Sequence, residues 1–273
     1  MDIRILAIGD TVGGPGRQMI SKHLRAVCLK ENVEFVVVNA ENVAGSGAGI
    51  TPNDCEELWK AGAGVLTGGD HIWDKRDIIP FIDRTDRLLR PFNYDPGMPG
   101  RGWSVRETPN GFKVGVVHVQ GRVFMTKIAA GCPFKAADEA IAKIREQTQV
   151  VVVDVHAEAT SEKIAMGWHL DGRASFVFGS HTHVQTADSR VLPQGTAYIT
   201  DCGMSGPYES VLGRRVDRVL HKFITQMPAP FDVATGDPRI SGAIATVNVE
   251  SGRALAIERI QVLEDGTIRK GTT

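Results

Sequence analysis

The sequence predicts an α/β fold, and three observations carry that reading. Short Val- and Ile-rich runs recur along the chain, helical apolar patterns lie between several of them, and most of the runs are continuously apolar rather than alternating. Continuous apolarity marks strands covered on both faces, and strand–helix alternation marks a sheet of largely parallel strands.

Ile3–Gly9 is the first predicted strand. A helix is expected over Gly16–Asn32, where Met19, Ile20, Leu24, Val27 and Leu29 fall near helical spacing. The preceding Gly13–Arg17 lacks the Gly-Lys-Ser/Thr ending of a phosphate loop, and its Pro-Gly reads as a helix start. Glu34–Ala40 is the next strand, Pro52–Ala61 a helix, and the short run before Gly68-Gly69 another strand. Further strands are expected at Val114–Val119, Gln149–Val155, Ala174–Ser180 and Thr196–Thr200, and helices at Ala136–Gln147 and Arg214–Gln226. Gly242–Glu250 and Arg253–Val262, joined through Ser251-Gly252, form a hairpin signal. Arg84–Thr108, rich in Pro, Gly, Arg and Asp, reads as a long surface excursion from a single domain spanning residues 1–273.

Net charge is −1, which argues against an extended nucleic-acid track or an anionic membrane surface as partner. The N-terminal apolar run is too short for a signal peptide, and no stretch approaches a membrane span. Cys28, Cys55, Cys132 and Cys202 never fall at Cys-x-x-Cys spacing, so a thiolate zinc site is not expected. Scattered lone cysteines fit a reducing compartment, and the expectation is a cytoplasmic protein. Homo-oligomerisation is left open.

Function is written at the strand ends. Five apolar runs end in residue types that bind metals: Asp10; Glu41-Asn42; Asp70-His71; His156; and His181-Thr182-His183. In α/β sheets, sites gather at the carboxyl ends of strands, so segments distant in sequence converge there. Taken singly, each has a structural alternative. Asp10 and Asp70 suit caps or turns, Glu41-Asn42 a solvated loop, and His156 a satisfied core histidine. His181-x-His183 is stronger, because i and i+2 of an extended segment project to one side. Coincidence at all five ends is improbable. Imidazole, carboxylate and amide together suit manganese, iron or zinc better than calcium or magnesium alone, and the set is too large for one tetrahedral ion. A pair of ions about 3.5–4 Å apart is a phosphoryl-transfer device. Arg122 and His118 read as structural, His169 as no ligand, and His23 and His221 as surface residues of helices.

These motifs resemble the metallophosphoesterases of the calcineurin-like superfamily, whose pattern is Asp-x-His, Gly-Asp, Gly-Asn-His, His and Gly-x-His-x-His. Asp10-Thr11-Val12 and Asn39-Ala40-Glu41-Asn42 depart from its first two blocks, and these departures resemble the YmdB-like bacterial phosphodiesterases, which act on 2′,3′-cyclic nucleotides. The likeness covers ILAIGDTVGGPGR, NAENVAGSGAGIT, GGDHIWD, GRVFM, DVHAEATSEKIAMGWHLDGR, HTHVQTAD and GTAYITDCGMSGP, most of the chain.

The resemblance implies a four-layer α/β/β/α sandwich and two metal ions, iron or manganese, with zinc or magnesium as alternatives. It implies Asp10, Asn42 and His183 on the first ion, Asp70, His156 and His181 on the second, Glu41 bridging, and His71 as general acid. A metal-bridging hydroxide would then attack a small phosphodiester such as a 2′,3′-cyclic nucleotide. A broad phosphatase or RNase on the same site, or a metal-binding regulator without catalysis, are the alternatives. Asp70 departs from the Asn usual in the family. With two divalent ions, Asp10, Glu41 and a bridging hydroxide leave one net positive charge. An ionised Asp70 cancels it, which should weaken attraction for an anionic substrate and retain metal more firmly.

Overall fold

The apolar runs become the strands of two sheets in the computed structural model, which describes residues 1–271. The strands are β1 (Asp2–Ile8), β2 (Asp10–Thr11), β3 (Phe35–Asn39), β4 (Val65–Thr67), β5 (Leu88–Leu89), β6 (Trp103–Glu107), β7 (Lys113–Gln120), β8 (Val151–His156), β9 (Phe176–Ser180), β10 (Arg190–Val191), β11 (Ala197–Ile199), β12 (Met204–Pro207), β13 (Pro238–Asn248), β14 (Ala254–Val262) and β15 (Ile268–Gly271). The α-helices are α1 (Gly13–Glu31), α2 (Pro52–Ala61), α3 (Ile79–Ile82), α4 (Pro133–Arg145), α5 (Thr160–His169) and α6 (Val216–Thr225).

The first sheet runs β15-β14-β13-β1-β3-β4-β5, with β12 and β2 attached off that path, and the second runs β10-β11-β9-β8-β7-β6. β1, β3, β4 and β5 are mutually parallel, as are β7, β8, β9 and β11. Alternation along each strand sorts the core into three layers. Ile3, Ile5 and Ala7 face Val116, Val152, Phe176 and Phe178 between the sheets. Leu6 and Ile8 pack beneath Ile20, Leu24 and Leu58 of α1 and α2. Val117, Val153 and Val155 pack beneath Ile141 and Ile144 of α4 and Met166 of α5. Helix, sheet, sheet and helix make the expected four-layer sandwich, and two-sided burial explains the unbroken apolar runs.

Local signals set the helix ends. Thr51 and Asp54 form a reciprocal capping box at α2, with Pro52 in its first turn. Helix α1 begins at Gly13, three residues before the expected start, and stops at Asn32, whose φ of 51° is left-handed. The hairpin is β13–β14, as the sequence indicates.

Three expectations need correction. Arg84–Thr108 is more than a surface excursion. It contributes β5 and β6, and buried Arg90 donates to the carbonyls of Pro91, Met98 and Pro99, folding the segment onto itself. Helix α5 was not expected, because its buried face carries Glu162 and Lys163 beside Met166 and Gly167, which hides the apolar period. His23 is buried rather than exposed, its ring 3.2 Å from the Glu264 carbonyl in the β14–β15 turn. His118 is a core histidine, as expected, and His221 is exposed.

Candidate metal centre

All five polar strand ends meet at one edge of the sandwich. Asp10 follows β1 across Gly9, where a Cβ would lie 1.9 Å from the Gly203 carbonyl oxygen. Glu41 and Asn42 follow β3, Asp70 and His71 follow β4, His156 ends β8, and His181 and His183 follow β9. Gly69 is fixed by crowding: a Cβ there would stand 1.9 Å from Glu41 Oε2 and 2.5 Å from His156 Nε2. The Gly-Gly before Asp70 therefore lets the backbone approach the site.

Two groups of ligand atoms form, each drawn within 4.8 Å: Glu41, Asp70, His156 and His181, and Asp10, Glu41 and His183. Glu41 belongs to both. Asn42 joins the second, its Nδ2 donating to Glu41 Oε1 at 2.8 Å and lying 3.4 Å from His183 Nε2. Rotating that amide presents Oδ1 at the same place.

His181 and His183 do not lie in an extended segment. β9 ends at Ser180, and the two histidines take left-handed φ values of 88° and 63°. Asp201 holds the turn, accepting from Thr182 N and Oγ1 and from buried Lys163 Nζ at 2.7 Å, while His181 N donates to Asp10 Oδ2 at 2.9 Å. The two imidazoles consequently serve different groups instead of projecting to one side together.

The donor set fits cations. His156 Nε2 lies 3.1 Å from Glu41 Oε2, 3.2 Å from Asp70 Oδ1 and 3.1 Å from His181 Nδ1, three acceptors around a nitrogen with at most one hydrogen. Asp10 Oδ1 is buried with no hydrogen-bond partner among the described residues. Each imidazole is also anchored through its other nitrogen. Ser180 Oγ, which donates to Asp154 Oδ1 at 2.7 Å, must accept from His156 Nδ1 at 2.9 Å. His183 Nδ1 donates to the Leu212 carbonyl at 3.2 Å, and His181 Nε2 faces Glu158 Oε2 at 3.1 Å. These contacts select the tautomers whose lone pairs face the cluster, as the outer contacts of metal-bound histidines do.

The proton equilibria tell the same story. Burial pushes Asp10 well above the usual carboxylate range. Burial also works to raise Glu41, yet the His156 charge and hydrogen bond hold it at about 2. Burial opposes charge on His156, but Glu41 and Asp70 raise it well above its ordinary value. Burial, then the His156 charge, lowers His181 to about 4. With no cation counted, one imidazolium is the counter-ion for the carboxylates. A metal would displace that proton.

His71 stands apart from the ligand atoms at the rim, its Nε2 3.9 Å from Asp70 Oδ2. Its Nδ1 lies 2.7 Å from Asp74 Oδ2 and 2.6 Å from Lys127 Nζ, and Lys127 also donates to Asp74 Oδ1 at 2.7 Å. Burial tends to raise Asp74, but the hydrogen bonds from Lys127 and His71 bring it below the ordinary range. Asp70 and His71 lie in a turn rather than capping a helix at Ile72.

Sequence reasoning missed Asp74, three residues after His71, Lys127, which is distant in sequence, and the layer behind His156. There Asp154 Oδ2 accepts from Thr67 Oγ1 at 2.5 Å and Asn39 Nδ2 at 3.1 Å. The available signal was a polar residue inside or ending an apolar run: Asn39 in FVVVN, Asp154 in VVVDV, Ser180 in FVFGS. Arg122 is exposed, and its backbone N–H donates to Glu162. His169 pairs with Asp138 at 2.9 Å, away from the cluster.

Two facing sheets flanked by helices, with His, Asp, Glu and Asn converging from their strand ends, make the four-layer fold of the calcineurin-like metallophosphoesterases. Among these, the chain belongs to the YmdB-like protein family, whose profile matches residues 6–260. It is 44% identical over 263 residues to a Bacillus subtilis (strain 168) protein named 2′,3′-cyclic-nucleotide 2′-phosphodiesterase, covering 96% of this chain and 98% of that one. A Mycoplasma pneumoniae crystal structure described as a novel phosphatase superposes with a TM-score of 0.89 at 33% identity, covering 96% of this chain and 94% of that chain. A Thermus thermophilus crystal structure described as a hypothetical protein superposes with a TM-score of 0.86 at 37% identity, covering 99% of this chain and 100% of that chain.

Proposed function

We propose that the protein is a dinuclear-metal phosphodiesterase that hydrolyses 2′,3′-cyclic nucleotides, with iron or manganese as its ions. The observation that carries this reading is the pair of ligand groups sharing Glu41, with His71 beside them but outside both. The name of the Bacillus subtilis relative supports the substrate class.

Asp10, Asn42 and His183 would hold one ion, Asp70, His156 and His181 the other, and Glu41 would bridge. Bound there, the ions supply Lewis acidity that makes water a nucleophile near neutral pH and offsets phosphate charge. The protein's own work is to keep three imidazoles neutral and aimed, through Ser180, Leu212 and Glu158, and to hold a proton where the ester breaks. Water adds to phosphorus and gives up one proton to solvent, the bond to the ribose 2′ oxygen breaks, and that oxygen takes a proton from His71 Nε2, which solvent then restores. An alkoxide is a poor leaving group, so the acid matters. Asp74 and Lys127 hold the opposite ring nitrogen, which keeps Nε2 facing the cluster.

The test is metal analysis of the purified protein coupled to a panel of 2′,3′-cyclic nucleotides, p-nitrophenyl phosphates and RNA. Two ions per chain with cyclic nucleotides turned over best is the expected outcome. Preference for a phosphomonoester or RNA would overturn the substrate class. The extra carboxylate of Asp70 favours one second reading, a metal-binding regulator. Two bound ions with no turnover, in the native protein and in Asp70→Asn, would establish it.

A further inference from the structure

A cavity of about 480 Å³ opens beside the cluster, and the proposed chemistry leaves it unused. His183, Met204 and Leu212 form its inner wall. Each touches the metal centre: His183 is a ligand candidate, Leu212 accepts from its Nδ1, and Met204 pairs with Asp10 across β12–β2. The outer wall is the β14–β15 edge, with Arg259, Gln261, Arg269 and Gly271. Arg259 pairs with Gly271 and Gln261 with Arg269, so all four share one face of the sheet.

The charge on that wall is unbalanced. Lys270 also lines the cavity but alternates to the other face of β15, where it is neutralised by Glu31 at 2.5 Å and Glu258 at 3.3 Å. Among the described residues neither Arg259 nor Arg269 has a carboxylate within ion-pair distance. Among the described residues Arg259 Nε is buried without an acceptor, and its Nη1 reaches the Thr186 carbonyl at 3.5 Å. A Cβ at Gly271 would stand 2.8 Å from Arg259 Nη2, so the guanidinium lies against bare backbone. Guanidinium donors left without acceptors are costly unless an anion completes them, and Arg matches phosphate geometry. The volume falls in the range of small-ligand sites.

We propose that this cavity is a subsite for a second phosphate group of the substrate, gripped by Arg259 and Arg269 while the cyclic phosphate lies at the metal centre. The inference rests on the phosphodiesterase reading for the identity of the first phosphate. The second phosphate is a 5′-monophosphate on the same nucleoside or the next diester of a short oligonucleotide ending in a 2′,3′-cyclic phosphate.

The experiment compares KM on the metal-loaded protein for 2′,3′-cyclic AMP, its 5′-phosphorylated form, and the dinucleotide ApA ending in a 2′,3′-cyclic phosphate. In parallel, calorimetry compares binding of adenosine 3′-phosphate and adenosine 3′,5′-bisphosphate. A second phosphate should lower KM and tighten binding about tenfold, the worth of one charge-assisted hydrogen bond. Preference for the 5′-phosphate form, the dinucleotide or both supports the subsite and identifies the source of the phosphate. In Arg259→Gln and Arg269→Gln the preference ratio should fall toward one, while Lys270→Gln should keep it. Arg269 is exposed, so its substitution reads the effect even if Arg259→Gln misfolds. Turnover of 2′,3′-cyclic AMP with no preference in rate or calorimetry overturns the subsite and leaves the phosphodiesterase reading standing. Absence of all turnover overturns that reading, and the calorimetric ratio then decides the subsite by itself.

Discussion

The two sheets bring different chemistry to the edge they share. The first delivers oxygen: Asp10 after β1, Glu41 and Asn42 after β3, Asp70 after β4. The second delivers nitrogen: His156 at the end of β8, His181 and His183 after β9. Neither sheet holds a complete ligand group, since both groups mix oxygen and nitrogen. Burial works against charge on all three carboxylates and prevails at Asp10, while the His156 imidazole holds Glu41 and Asp70 ionised; the nitrogens sit where acceptors behind them hold their lone pairs forward. The difference shows why the centre needs both halves: one supplies charge and the other supplies direction.

Removing the residue common to both groups should break this arrangement most completely. Glu41→Ala is expected to lose both ions by elemental analysis and to cut turnover by about 10⁴-fold or more. Retention of two ions would show that the oxygen side does not depend on a bridge.

His71 is the histidine the first sheet contributes to this edge, and it lies outside the ligand groups. His71→Ala should keep its metal and lose about 10³-fold on 2′,3′-cyclic AMP, with a much smaller loss on a p-nitrophenyl diester, whose leaving group needs no acid. Equal losses on the two substrates would remove His71 from the acid role.

His118 is the opposite exception, an imidazole of the second sheet that stays in the core. Burial lowers it from an ordinary 6.5 to about 4. Between those values the unfolded chain takes up a proton that the folded chain refuses. Stability should therefore fall as pH drops from 6.5 to 4, by about 3 kcal/mol in all, with no further loss from this group below pH 4. Denaturant titrations of the native protein and His118→Asn should differ in slope across that window. Parallel curves would place the acid sensitivity elsewhere.

The smallest effect tests charge on the oxygen side alone. Asp70→Asn keeps an oxygen ligand and removes one negative charge, so KM for a cyclic nucleotide should fall about threefold to tenfold and metal should be lost faster to a chelator. Unchanged values in both assays would show that Asp70 is neutralised some other way.

Much of this was legible in the sequence, for a physical reason. A strand buried on both faces reads as an unbroken apolar run, so the polar residue ending it stands out, and Asp10, Glu41, Asp70, His156 and His181 all do. What remained hidden depends on contacts that cross the fold. Lys127 reaches His71 from 56 positions away. Asp201 turns the His181–His183 segment from beyond the neighbouring strand, so the left-handed backbone there has no local signature. Helix α5 buries Glu162 and Lys163 for specific partners, and burying charge erases the apolar period by which a helix is recognised.

The pairing of β1 with β13 has a consequence for biosynthesis. Ile8 meets Gly242 and Asp2 meets Asn248, so the strand that leads into Asp10 lacks one neighbour until β13, more than 200 residues later, has left the ribosome. At about 5–20 residues per second, that wait lasts on the order of ten seconds or longer. The metal centre is thus a late product of translation, and a nascent chain halted before residue 238 should carry its metal-binding residues without the site they form.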